Sequence, residues 1–102
     1  MIRLVVLLAG TDVATGGDVE LVRLQSGQFD PDHLDAVIQQ CLTQALVGTD
    51  TVALRAALPI ISVELLTKGE DADRPSFHLS RETVSRMAEV GAEFSFDPYG
   101  YP

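Results

Sequence analysis

The segment that most constrains this chain is an Asp-Pro pair followed by an apolar stripe at helical spacing. Asp30 can accept hydrogen bonds from free N–H groups at a helix start, Pro31 sits where a missing N–H costs nothing, and Asp32 suits the positive helix end. Leu34, Val37, Ile38, Cys41, Leu42, Ala45 and Leu46 then fall at i, i+3, i+4, i+7, i+8, i+11 and i+12, on one side of a helix. The spacing predicts a helix over 31–47 with one buried face and a left-handed stop at Gly48. A one-faced helix needs a second layer, which the rest of the chain must supply as a sheet.

Strand patterns are present on both sides of that helix. Residues 2–9 (IRLVVLLA) form a short, almost continuous apolar run closed by Gly10, which predicts a central strand covered on both faces. Residues 10–18 hold three glycines, two threonines and two aspartates, a turn region leading to a returning strand at 19–24. Residues 49–58 are open to two readings: Asp50 can cap a short helix, and Thr51-Val52 can begin a strand. Pro59 ends that stretch, and Ile61, Val63 and Leu65 alternate with Ser62 and Glu64 in a half-covered strand over 60–66.

After a polar loop at 68–75, Phe77 and Leu79 alternate with Ser76 and His78 as a short strand. Ser80 caps a helix over 81–90 whose inner face is expected to carry Val84, Met87 and Ala88, and Gly91 stops it. Phe94 and Phe96 mark a final strand at 94–96. These elements predict an α+β two-layer sandwich, a mainly antiparallel sheet with the two main helices on one face, in ferredoxin-like layering. At 102 residues, one domain over 1–102 with one core is expected.

Composition narrows the function classes. Hydrophobic residues make up 46% and charged residues 22%, a globular balance, while fifteen acidic against seven basic residues give a net charge of -8. Such a surface repels phosphates and anionic headgroups, so neither nucleic acid nor membrane is an expected partner. No apolar run approaches the roughly 20 residues that span a bilayer. Residues 1–9 are too short and too weakly flanked for a secretory signal, and Cys41 is the single cysteine, so cytoplasmic residence is expected.

The chemistry-bearing residues favour structural roles. His33 lies among Asp30, Asp32 and Asp35, but these fan around a first helical turn and Asp30 serves as the cap, so no metal site is expected. Cys41 occupies the middle of the apolar stripe, and His33 lies eight residues earlier, about 12 Å along the axis, too far for a nucleophile–base pair. Gly16-Gly17 lacks the lysine and helix start of a phosphate loop and reads as a turn. Glu64, Glu89, Glu93 and Asp97 could supply a carboxylate pair, although spacing does not show convergence. No catalytic residue, cofactor or metal is assigned.

The segments ISVELL and FHLSRETVSRMAEVGAEFSFDPY resemble the closing portion of a bacterial family, domain of unknown function 4279. Ser80, Gly91, Ala92, Asp97 and Tyr99 carry the resemblance, which covers about the last 45 residues. The resemblance implies a short strand, a Ser-capped helix, a Gly-Ala step and an alternating strand; it brings no activity with it.

The expected function is therefore a non-enzymatic protein–protein interaction module, immunity- or antitoxin-like, monomeric or homodimeric, meeting a protein with a basic surface. Glu70, Asp71 and Asp73 in the polar loop, and Tyr99 and Tyr101 in the tail, are the candidate partner-binding residues. The alternative is a small ligand-binding domain or enzyme whose site is assembled from distant residues, recognisable by a pocket lined with carboxylates and His78.

Overall fold

The computed structural model describes residues 2–28, 30–68 and 77–101. Within them the chain runs β1 (Ile2–Thr11), β2 (Asp18–Ser26), α1 (Pro31–Val47), α2 (Thr51–Ala56), β3 (Ile60–Lys68), α3 (Arg81–Glu89) and β4 (Glu93–Tyr101). The strands form one mixed sheet in the order β2-β1-β3-β4. β1 pairs antiparallel with both β2 and β3, whereas β3 and β4 are parallel, a pairing that requires the crossover in which α3 lies. Helices pack on one face, giving the expected α+β two-layer arrangement.

The core forms where the alternate residues of the strands meet the helices. Leu4, Val6 and Leu8 of β1, Ile61, Val63 and Leu65 of β3, and Leu34, Ile38, Cys41 and Leu42 of α1 are all fully buried in one cluster. The α1 cap is as the sequence requires: Asp30 Oδ1 accepts from the N–H groups of Asp32 (3.0 Å) and His33 (2.9 Å). Residues 51–56 are helical because Asp50 Oδ1 accepts from Ala53 N–H at 2.7 Å, which secures a cap that a strand would leave unused.

Several expectations are corrected. Residues 77–80 are not a strand; Phe77 instead packs its ring on Phe94 and Phe96, with centroids 5.7 and 4.8 Å away. The alternation of Phe77 and Leu79 therefore reports packing onto the core and no sheet hydrogen bonding. The inner face of α3 is Thr83, Met87 and Val90, at i, i+4 and i+7, while Val84 is 51% exposed and Ala88 is exposed. A buried threonine is invisible to an apolar pattern, and its hydroxyl is satisfied by Ser80 Oγ at 3.0 Å.

Gly48 caps α1 at φ −101°, not in the left-handed region, because the chain turns at once into the Asp50 cap of α2. β4 extends well beyond 94–96, pairing through Tyr101 with Lys68, and Pro98 is accommodated because β4 is an edge strand. β1 is central, but among the described residues helices cover only one of its faces, whereas two-sided cover is expected of it.

Polar contacts hold α3 at both ends. Asp35 of α1 accepts from Ser80 N–H at 2.6 Å beside the helix start, and Arg55 of α2 donates to the Glu89 carbonyl at 2.9 Å at its end. These are the charge signs that the helix dipole favours at each end. Arg86 ties the middle of α3 to α1, donating to Gln39 Oε1 (3.2 Å) and Thr43 Oγ1 (3.1 Å).

Candidate functional site

The sheet's second face carries the candidate site, because strand alternation turns to it every residue that does not meet the helices. Register places Leu7 between Arg23 and Ser62, with Ser95 beyond. Val5 lies between Gln25 and Glu64, with Asp97 beyond, and Ala9 lies between Glu20 and Ile60, with Glu93 beyond. Leu66, beside Arg3, continues the apolar line. The result is an apolar centre of Val5, Leu7, Ala9, Ile60 and Leu66 flanked by carboxylates on both outer strands.

That centre is only partly shielded. Val5 is 4% exposed, whereas Leu7, Ala9 and Leu66 are half-buried and Ile60 is exposed. Among the described side chains the face carries Asp18, Glu20, Glu64, Glu93 and Asp97 against Arg3 and Arg23, and Arg23 Nε already pairs with Glu20 Oε1 at 2.6 Å. Glu64 and Asp97 are register partners, so two of the four carboxylates considered for a pair stand side by side on adjacent strands. Both are exposed. Glu89 lies apart, at the end of α3, and Glu93 lies at the β4 start.

At one end the face deepens into a groove of about 430 Å³, lined by Leu7, Ala9, Val19, Ile60, Asp18 and Glu20 among others. Leu58 closes that end. Its φ of +53° makes it the one non-glycine residue in the left-handed region among the described residues, and its side chain is 70% exposed. The segment that carries it is anchored at the end of the sheet: the Ala57 carbonyl accepts from Thr11 N–H at 2.7 Å, and the Pro59 carbonyl accepts from Glu93 N–H at 3.0 Å. Gly10 permits this approach, since a Cβ there would lie 3.1 Å from the Ala57 carbonyl oxygen.

The titratable residues singled out from the sequence lie elsewhere. His33 is a structural side chain, its Nε2 3.0 Å from Ser26 Oγ. Cys41 is fully buried, and burial pushes its thiol up to about 11, so it stays protonated at neutral pH. His78 is exposed and faces Asp35 electrostatically, at the α1–α3 junction away from the groove. Burial pushes the Asp35 carboxyl up, but hydrogen bonds from the Ser80 backbone and the Thr83 and Ser80 hydroxyls, with the charge of His78, hold it below the usual range.

The structure thus brings carboxylates to a groove, as the ligand-binding alternative requires, but not His78. Glu70, Asp71 and Asp73 lie outside the described residues; Tyr99 and Tyr101 belong to β4, opposite Leu66 and Lys68, with their side chains outside the described set. Sequence reasoning missed Leu58, Leu7 and Ile60. The signal was available in β1, whose run is more apolar than a one-sided strand needs.

Among the described residues, no group of three His, Cys, Asp or Glu could hold a metal ion, and no helix is long and apolar enough to cross a membrane. No family model matches the chain, and neither a curated protein nor a solved structure matches it.

Proposed function

We propose that this protein is a non-enzymatic protein–protein interaction module, immunity- or antitoxin-like, whose working surface is the uncovered sheet face. One observation carries the reading: the central strand is apolar on both sides, yet the helices cover one side only. An apolar centre ringed by charge is the anatomy of a protein interface. The net charge of -8 and the excess of carboxylates on this face favour a partner with a basic surface over a second copy packed face to face, because two such faces would repel. Glu70, Asp71 and Asp73 add the same sign of charge in sequence and are proposed to steer the partner, with Tyr99 and Tyr101 contributing to contact.

On the same terms, membership of the domain of unknown function 4279 family is proposed from Ser80, Gly91, Ala92, Asp97 and Tyr99, and cytoplasmic residence from the composition. The test compares capture of proteins from the native cytoplasm by the wild-type chain and by a Glu64→Lys/Glu93→Lys variant with an unchanged melting temperature. A basic partner whose association slows with salt and is lost in the variant supports the reading. Capture that the reversed charges leave intact, or saturable binding of a metabolite with no protein partner, overturns it.

A further inference from the structure

Leu58 and the groove beside it have a feature that folding does not explain. α2 and α3 both end by turning the next residues into the left-handed region: at α3 that residue is Gly91, φ +66°, and at α2 it is Leu58, φ +53°. Glycine is the ordinary occupant of such a position because a Cβ there crowds the backbone. Leu58 has that crowding and recovers little by burial, being 70% exposed. What the leucine supplies instead is an apolar wall at the end of the groove.

The groove's chemistry is divided. Leu7, Ala9, Val19, Ile60 and Leu58 offer an apolar corridor, while Asp18, Glu20 and Arg23 stand on its β2 side. Glu20 is committed to Arg23 at 2.6 Å. Asp18 makes no side-chain hydrogen bond or ion pair among the described residues. One carboxylate at the side of an apolar corridor matches a flexible four-carbon stem ending in a compact ammonium; a guanidinium would seek a two-pronged partner.

We infer that this groove is the anchoring pocket for a lysine side chain of the basic partner. The stem lies along Leu7, Ala9 and Ile60 under Leu58, and the ammonium is held by Asp18. This rests on the interface reading above and sharpens it by naming the residue type the partner must present.

The experiment titrates the isotope-labelled full chain with n-butylammonium, a lysine side-chain mimic, and follows backbone amide resonances; n-butanol and tetramethylammonium serve as controls. Saturable shifts confined to residues 7–11, 18–20 and 58–62, seen with n-butylammonium and with neither control, are expected. Asp18→Asn should weaken that binding roughly tenfold, as loss of a charge-assisted hydrogen bond does. Leu58→Asn, which the left-handed backbone tolerates, should weaken it about threefold while leaving the fold at least as stable. Shifts spread over the acidic surface and unchanged in both variants would falsify the pocket. The two readings fail separately: loss of partner binding on reversing Glu64 and Glu93 without any groove shifts keeps the interface and overturns the pocket. Groove saturation with partner binding indifferent to that reversal keeps the amine site and removes the interface.

Discussion

The same strands build both faces of this sheet, yet the faces differ in almost every physical respect. On the helix side Leu4, Val6 and Leu8 are fully buried among α1, α2 and α3 side chains. On the other side their neighbours Val5, Leu7 and Ala9 stand beside residues such as Gln25, Arg23 and Glu64, and Leu7 and Ala9 are only half-buried. The difference shows that apolar character in a strand measures a demand for cover, and that a chain of this length can meet the demand on one side while leaving it open on the other. The first face holds the fold together. The second leaves Leu7, Ala9 and Leu66 half-buried and Ile60 exposed.

The largest expected effect lies on the covered face. Leu42→Ala, fully buried in mid-helix, should cost about 2 to 5 kcal/mol in denaturant unfolding, by lost transfer energy plus a cavity. Leu7→Ala on the open face should cost about 1 kcal/mol or less, since part of its side chain is already wet. Equal losses at the two positions would mean that the open face is as much core as the other, and the comparison would break.

Next comes the polar tie that keeps the helix layer closed. Arg86→Ala removes the hydrogen bonds to Gln39 and Thr43 and should cost about 1 to 2 kcal/mol by thermal melting. No change would show that apolar packing alone holds α3 on α1. Leu58→Asn should move stability the other way, with a gain of up to about 1 kcal/mol, because asparagine tolerates the left-handed backbone better than leucine. A clear loss would place the Leu58 side chain in the core and remove it from the groove.

The smallest effect concerns pH. The Asp35 carboxyl is held below its ordinary value in the fold, so its contribution is fully present above the unfolded value, near 3.8, and is lost as pH falls through the folded one. Wild type should therefore lose part of its melting temperature on acidification below about pH 4, and Asp35→Asn should lose less over that range. Identical acid profiles would show that the contact with Ser80 persists regardless of charge.

Legibility followed locality. Asp30, Pro31 and the stripe to Leu46 were readable because cap and periodicity act within a few residues, and Ser80 and Gly91 bracketed α3 for the same reason. Phe77 and Leu79 misled because alternation records which side chains point inward, and an irregular segment lying on a core alternates as a strand does. Thr83 was missed because its burial depends on a hydroxyl partner, which hydropathy does not register. In the candidate site, Glu64, Glu93 and Asp97 were visible as carboxylates, but not their positions on one face with Leu7 and Ile60.

By itself the sequence determined α1 and α3, the four lasting strands and the acidic charge, because caps, periodicity and net charge are properties of neighbouring residues or of simple sums; between helix and strand at 51–56 it left both open. Only the tertiary structure decided that β4 lies parallel beside β3, that the described helices cover one side of β1, and that Leu58 closes a groove beside Asp18. Those facts depend on register between strands far apart in the chain and on which face the helices happen to cover, and neither is encoded in any local stretch.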